Sequence, residues 1–353
     1  MADRYLDLAP GDRREVLAVA ADTSGRPIHL LEKDIWVVWA LSVLFDSPLG
    51  ASLVFKGGTS LSKVYDAIRR FSEDVDLTYD VRQLIPELAG QGPKGGTDAL
   101  PSTQSQERKW SKAVRDRLPI WVAEEAAPLL QAALEQVEPG GEVRIEGTEL
   151  FIRYAPVGST SDYVRPEVKL EFGARATGEP NESRNIGCDA TTHVDAVTFP
   201  TARPRVMLVE RTFWEKATAA HVFCRQGRLR GERFARHWYD LHRLDAVGYA
   251  DAALTRRDIA TAVADHKAMF FREKDAEGDQ VDYRAAVAGD LQLVPGTDGM
   301  AVLAEDYGKM ISDGLFLDEP EPFERVMDGL AALQERVNLA ASDAATVSTQ
   351  ESS

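Results

Sequence analysis

The chain has 353 residues, of which 44% are hydrophobic, so it is long enough to bury a core as one large domain or two ordinary ones. Its formal net charge of −16 argues against a polybasic membrane anchor or a histone-like role. The two cysteines, Cys188 and Cys224, match neither a disulfide framework nor a zinc-ligand spacing. The longest apolar run, over 35–45, is too short to span a bilayer and is predicted to be a buried helix. We therefore expect a cytoplasmic protein with no membrane segment.

The hydrophobic pattern changes twice along the chain. Helical spacing predicts helices over about 12–21 and 32–45, followed by a short strand over 52–56. Gly, Pro, Ser and Thr dominate 89–106, which predicts a mobile loop. A helix over about 106–136 precedes the segments EVRIEG, ELFIRYA and RPEVKLEFG, whose alternation predicts three strands that extend one sheet. Helical patterns then dominate from 208 to about 339, and the remaining tail has a composition typical of disorder.

The segment FSEDVDLTY places two carboxylates on one strand. Side chains two apart on a strand point the same way, so Asp74 and Asp76 share one face while Val75 and Leu77 take the other. Carboxylates held side by side repel unless a cation lies between them, and Mg2+ accepts such oxygen ligands together with substrate phosphates. The pattern therefore predicts a site for Mg2+ or Mn2+, although a solvated strand end would have the same spacing.

A glycine turn precedes these carboxylates. Gly57 and Gly58 allow close approach of the backbone, and the N–H groups at the start of a predicted helix over 60–70 would favour an anion. The alternative is an ordinary turn with a helix cap. Strand, glycine turn, helix and Asp-x-Asp strand in this order favour a nucleotide site, whose candidate residues are Lys56, Gly57, Gly58, Thr59 and Ser60.

The segment PEVKLEFG offers a third carboxylate. Alternation places Val168, Leu170 and Phe172 on one face and charged residues on the other. Among the charged residues, Glu171 is the candidate third metal ligand, and Lys169 is a further candidate for contact with the nucleotide. A solvated charged face explains the same pattern equally well.

Four segments in order, KGGTSLSK…RFSEDVDL, VKLEF, ERTFWEKATAAH and RHWYDLHRL, resemble the AbiEii/AbiGii-type nucleotidyltransferase toxins, which include the mycobacterial MenT toxins. The resemblance covers roughly residues 50 to 245. It implies an α+β fold with a polymerase-beta-like nucleotidyltransferase core and a mixed sheet. It also implies transfer of a nucleotide from an NTP to an acceptor, for some members the 3′ end of tRNA, by the toxin of a toxin–antitoxin or phage-defence system.

The same resemblance implies roles for individual residues. Gly58 and Ser60 would belong to the phosphate motif and Asp74 and Asp76 to the metal pair, while Lys216 and Asp240 would belong to the third and fourth motifs. The interval between the glycines and Asp74 is longer than in many enzymes of that superfamily. The lysine charge would suit a triphosphate, and the aspartate would orient that lysine or the ribose. Without the family, an exposed Glu215–Lys216 pair on an amphipathic helix and a helical surface position for Asp240 would explain these residues.

We accordingly expect a sheet core with N-terminal helices over 1–205, a helical region over 206–340 and a disordered tail over 341–353. Two other functions stay open. A Mg2+-dependent glycosyltransferase also uses Asp-x-Asp, but usually after alternating strands and helices, and mostly helices precede the motif here. The other is a nucleotide-binding interaction protein without catalysis, and the intact acidic and lysine residues argue against it.

One segment departs from the acidic composition. Residues 203–237 contain nine Lys or Arg against three Glu, a surplus of six positive charges. Within it, the turn RLRGERFAR carries Arg228, Arg230 and Arg233. This segment predicts a track for the phosphates of an RNA acceptor, although a solvated helix connection has the same composition.

Overall fold

The structure is a computed structural model. It describes residues 3–72, 74–90, 99–158, 165–227 and 234–351, with side chains as far as Ala341. The chain forms two compact units. The first comprises Met1–Val64, Ser72–Gly92 and Arg108–Met207, so that it ends two residues after the expected boundary at 205. The second comprises Tyr65–Phe71, Pro93–Glu107 and Leu208–Ser353, so two short upstream segments join the C-terminal helices.

The first unit is built on a mixed seven-stranded sheet. Two short pairs of strands accompany it: β1 with β9, and β8 with β10. The strands in chain order are β1 (Asp3–Arg4), β2 (Leu53–Lys56), β3 (Asp74–Tyr79), β4 (Glu142–Glu146), β5 (Glu149–Arg153), β6 (Glu167–Gly173), β7 (Asn181–Ser183), β8 (Ile186–Gly187), β9 (Val197–Thr198), β10 (Thr201–Ala202) and β11 (Arg205–Met207).

The strand order of the large sheet is β4-β5-β6-β3-β2-β11-β7. The β3–β6 and β2–β11 pairs are parallel, and the other neighbours are antiparallel. The three strands predicted from EVRIEG, ELFIRYA and RPEVKLEFG are therefore confirmed as neighbours in one sheet. β3 lies centrally, with β6 on one side and β2 on the other.

Side-chain alternation on the central strands agrees with the sequence pattern. Val75 and Leu77 on β3 are fully buried, as are Val168 and Leu170 on β6. The acidic residues between them are half-buried. One face of the sheet is thus apolar core, and the other carries the charged residues of the candidate site.

Helices cover this unit. The apolar run predicted to be a buried helix lies in the second of them, where Trp36 is buried and stacks on Tyr154 with ring centroids 5.1 Å apart. The helix predicted over 106–136 is observed with a π-helical turn at Val122–Ala126. The helices are α1 (Pro10–Ser24), α2 (Ile28–Phe45), α3 (Gly57–Lys63), α4 (Val81–Leu84), α5 (Pro86–Ala89), α6 (Gln104–Trp121) and α7 (Ala127–Val137).

The second unit is helical, as predicted for the region after 208. Phe213, Trp214, Trp238 and Tyr239 are buried in its core. Its helices are α8 (Val209–Gln226), α9 (Ala235–Ala246), α10 (Tyr249–Thr255), α11 (Arg257–Phe270), α12 (Tyr283–Val287), α13 (Thr297–Ser312) and α14 (Phe323–Glu351).

Three segments differ from expectation or lie partly outside the described residues. The helix expected over 60–70 begins at Gly57 and ends at Lys63, because the chain at 69–71 instead bonds to the backbone of 315–317. The segment 341–353, expected to be a disordered tail, is helical as far as Glu351. Within the expected mobile loop, residues 91–98 lie outside the described residues. No helix in the described part of the chain combines the length and apolarity needed to cross a bilayer.

Candidate active site

The two strand carboxylates lie where the sheet is most central. Asp76 on β3 is in register with Lys56 on β2 and with Glu171 on β6. Asp74 is in register with Lys169. Residues that are directly opposite on neighbouring strands point to the same face of a sheet. Asp74 and Asp76 therefore share one face with both lysines and with Glu171.

The glycine turn is in direct contact with the second of these carboxylates. Gly57 has a φ of +79°, in the left-handed region that favours glycine. A β-carbon at Gly57 would lie only 1.9 Å from Oδ2 of Asp76. Although the interval between the glycines and Asp74 is long in sequence, the fold places the turn against the acidic strand.

The hydroxyl groups of the turn are engaged within the protein. Thr59 Oγ1 donates to the backbone oxygen of Asp74 at 2.5 Å, which ties the turn to the start of β3. Ser60 is fully buried, and its Oγ donates to the backbone oxygen of Gly57 at 2.9 Å. Both side chains stabilise the shape of the turn.

A second cluster of charges extends the polar face along β5 and β6. Lys169 Nζ lies 3.1 Å from Oε1 of Glu149 and also bonds Glu171. Although partial burial acts to lower it, hydrogen bonds to Glu171 and Glu149 hold the pKa of the Lys169 ammonium above its usual value. Glu171 is thus paired with a lysine in this conformation. The described residues contain no group of three or more Asp, Glu, His or Cys arranged to hold a metal ion.

Sequence reasoning missed Glu149. It faces Glu171 across the antiparallel β5–β6 pair. The alternation of ELFIR was visible in the sequence, but the register that sets Glu149 opposite Glu171 depends on the pairing of the two strands.

The predicted lysine and aspartate of the helical region form an ion cluster in the second unit. Lys216 Nζ lies 2.8 Å from Oδ2 of Asp240, which is completely buried. Arg70 completes the cluster, with Nε and Nη2 each 2.7 Å from one oxygen of the same carboxylate. Burial acts to raise the pKa of Asp240, but Arg70 and Lys216 hold it well below its usual value. Asp240 is therefore ionised and paired with Lys216.

Two histidines of the second unit, His221 and His237, are neutral at pH 7. Burial lowers the pKa of His221 to about 4, and its Nδ1 accepts a hydrogen bond from the backbone N–H of Gln292 at 3.0 Å. Burial, and then the charge of Lys216, lower the pKa of His237 well below its usual value.

Several members of the basic segment are bonded inside the protein. Arg205 donates to the backbone oxygen of Leu53 at 3.0 Å. Arg211 pairs with Glu215 at 3.0 Å and Arg225 with Asp275 at 3.1 Å. The three residues proposed for RNA contact, Arg228, Arg230 and Arg233, lie outside the described residues.

Comparison with known proteins gives a family match over most of the chain. The profile for the nucleotidyl transferase AbiEii toxin of type IV toxin–antitoxin systems matches residues 39–329. No curated protein matches the chain.

Among solved structures, the chain is similar to MenT4, a nucleotidyltransferase toxin from Mycobacterium tuberculosis. The identity is 17%, the TM-score is 0.43, and the match covers 92% of this chain and 98% of that one. It is also similar to a proposed nucleotidyltransferase from H. pylori, with 16% identity, a TM-score of 0.40 and coverage of 88% and 95%.

Proposed function

Because the chain belongs to the AbiEii family of nucleotidyltransferase toxins from type IV toxin–antitoxin systems, we propose that it transfers NMP from an NTP to the 3′ end of an RNA in a metal-dependent reaction, with tRNA as the acceptor. The observation that carries the proposal is the contact between Gly57 and the carboxylate of Asp76. This contact supports the proposal because the turn that would bind phosphate lies against the side chain that would hold the metal. Family membership decides against the glycosyltransferase alternative.

Asp74 and Asp76 are the residues that would hold Mg2+ or Mn2+. Two carboxylates on one strand face suit a hard divalent ion whose remaining positions are filled by water and substrate phosphates. When bound, such an ion offsets the charge of the triphosphate. Glu171 would join them as a third ligand only if it exchanged its bond to Lys169, which is paired with it in this conformation. The turn from Lys56 to Ser60 would contact phosphate through its backbone, because its hydroxyls are engaged.

The reaction we propose is attack of an acceptor hydroxyl on the α-phosphate, with pyrophosphate as the leaving group. Positioning and charge neutralisation supply most of the rate in phosphoryl transfer. His221 is a weak base, because its pKa is lowered to about 4 and its Nδ1 already accepts a hydrogen bond, so the reaction that we propose uses no histidine base. Lys216, oriented by Asp240, would offset charge that develops on the leaving pyrophosphate.

The family implies two partners, an NTP and a cognate antitoxin. The RNA acceptor rests on the basic segment 203–237 and on the resemblance to toxins that modify tRNA. A role in abortive infection in the cytoplasm follows from the same resemblance.

The test is to incubate the protein with Mg2+, each labelled NTP in turn and total cellular RNA, and to look for label on RNA or protein. We expect label on RNA, and we expect Asp76→Ala to abolish it. The melting temperature of this variant should be equal to or above that of the wild type, since one of two like charges on the strand face is removed.

Glu142→Ala is the matched control, because Glu142 is an exposed carboxylate on the edge strand β4 of the same sheet. It should transfer nucleotide as the wild type does. Transfer retained in Asp76→Ala would refute the metal assignment. Label on protein alone would refute the RNA acceptor, and no label on either would favour a binding protein without catalysis.

A further inference from the structure

Arg70 is held by backbone pairing within the second unit. Phe71 N donates to the oxygen of Leu315 at 2.6 Å, and Leu317 N donates to the oxygen of Arg69 at 2.9 Å. These bonds flank an antiparallel bridge between Arg70 and Phe316. The pairing keeps the chain extended here and fixes the point from which the Arg70 side chain begins.

From this point the guanidinium of Arg70 reaches both oxygens of Asp240. The two N–O distances of 2.7 Å describe a fork-to-fork contact, the geometry that arginine makes with carboxylates and lysine does not. Asp240 has no exposed surface and Arg70 has 5%. A buried carboxylate of this kind requires paired cations, and Arg70 supplies one of them.

The three members of the cluster, Arg70, Asp240 and Lys216, carry one negative and two positive charges. Lys216 is its most exposed member, with 12% of its side chain accessible, and it bonds the Oδ2 atom that Arg70 Nη2 also contacts. The nearby His237 adds no charge at pH 7, because its pKa is lowered well below the usual value. Without Arg70, the negative charge of Asp240 would neutralise the positive charge of Lys216, and the pair would have no net charge.

We propose that Arg70 is a positioning residue that neutralises Asp240, so that Lys216 keeps a net positive charge with which to bind the phosphates of the NTP. This inference rests on the proposed function, because it assumes that Lys216 serves a triphosphate. It differs from a purely structural role in one respect: binding should follow the net charge of the cluster, whichever residue supplies it.

The experiment measures binding of inorganic tripolyphosphate by calorimetry in two groups of variants. Arg70→Gln lowers the cluster charge from +1 to 0 and should weaken binding at least about tenfold, which corresponds to about 1.4 kcal/mol. The double variant Arg70→Gln/Asp240→Asn returns the charge to +1 and places a neutral pair in the buried site. Its affinity should return to within about threefold of the wild type, since coupled residues do not contribute additively.

Arg69→Gln is the control, because the neighbouring arginine forms its fork with the exposed Asp318. Its affinity should not change. Wild-type affinity in Arg70→Gln would overturn the inference, and so would a double variant that binds no better than Arg70→Gln. If thermal unfolding shows that Arg70→Gln does not fold, the double variant and Arg70→Lys test the inference instead. Both keep a cluster charge of +1 and should bind tripolyphosphate tightly, so weak binding by these variants would overturn it.

The labelled-NTP assay on the wild-type protein separates the two proposals. If the wild type transfers nucleotide but tripolyphosphate affinity does not follow the net charge of the cluster, only the proposed role of Arg70 is refuted. A wild type that transfers no nucleotide would refute the proposed function, whatever the binding series shows.

Discussion

Glu32 is a carboxylate buried near the start of helix α2, with 3% of its surface exposed. Its Oε1 accepts a hydrogen bond from the backbone N–H of Val157 at 3.0 Å. Burial raises the pKa of Glu32 from 4.5 to about 7, against the smaller effect of the Val157 bond. The folded protein thus holds a proton on Glu32 at pH values where the unfolded chain has released it.

This proton makes stability depend on pH. Because the folded state binds more protons than the unfolded state between pH 4.5 and about 7, the free energy of unfolding falls as pH rises through that window. Glu32→Gln is neutral at every pH and keeps an oxygen that accepts from Val157. Its stability relative to the wild type should increase between pH 5 and pH 8, by up to about 3 kcal/mol at 1.36 kcal/mol per pKa unit.

Denaturant unfolding of both proteins at pH 5 and pH 8 measures this difference. Glu135→Gln, at an exposed position of α7, should show no comparable dependence on pH. If the advantage of Glu32→Gln were the same at both pH values, the carboxylate would be ionised throughout and the raised pKa would be wrong.

At the scale of elements, the start of helix α3 depends on one glycine. Gly57→Ala would place a methyl group on a left-handed residue and against the carboxylate of Asp76. The conformation alone costs about 1–2 kcal/mol. Displacement of Asp76 by the order of an ångström should reduce transfer about a hundredfold, as expected when a reacting group is misplaced. The initial rate as a function of Mg2+ concentration measures this, and the Mg2+ requirement should rise.

Gly11→Ala is the matched control for this substitution. Gly11 lies in the first turn of α1, where an added β-carbon meets no atom within 4 Å. This variant should keep full activity and equal or greater stability, since alanine favours a helix. Full activity in Gly57→Ala would show that the contact with Asp76 has no role in the reaction.

Elements governed by local pattern could be predicted from the sequence. Alternation was sufficient for the strands that carry Asp74, Asp76 and Glu171, because one buried face fixes which residues point away from it. The end of α3 and the pairing of Arg70 with Asp240 could not be predicted. Arg70 and Asp240 are 170 positions apart, and no local spacing indicates which buried carboxylate a lone arginine will meet.

At the scale of the whole molecule, the charge of −16 opposes binding to RNA except where cations collect. In the sequence, cations collect in the basic segment 203–237. Its members Arg205, Arg211, Lys216 and Arg225 are bonded within the protein. A phosphate track would therefore depend mainly on the other five cations of the segment, Arg203, Arg228, Arg230, Arg233 and Arg236. The role of Arg228, Arg230 and Arg233 stays a prediction.

Salt dependence tests this track, because each phosphate contact releases counterions. With three to five contacts at about 0.7 to 0.9 each, the log–log slope of RNA affinity against salt should be about −2 to −4. Changing Arg228, Arg230 and Arg233 together to Ala should move that slope toward zero and weaken RNA binding, while NTP affinity stays nearly unchanged.

The control changes Arg108, Lys109 and Arg115, exposed cations of α6, to Ala and alters the net charge by the same amount. If the two triple variants lost affinity equally, RNA would respond only to overall charge. If the first kept wild-type affinity and slope, the track would be ruled out and a protein acceptor would become the better proposal.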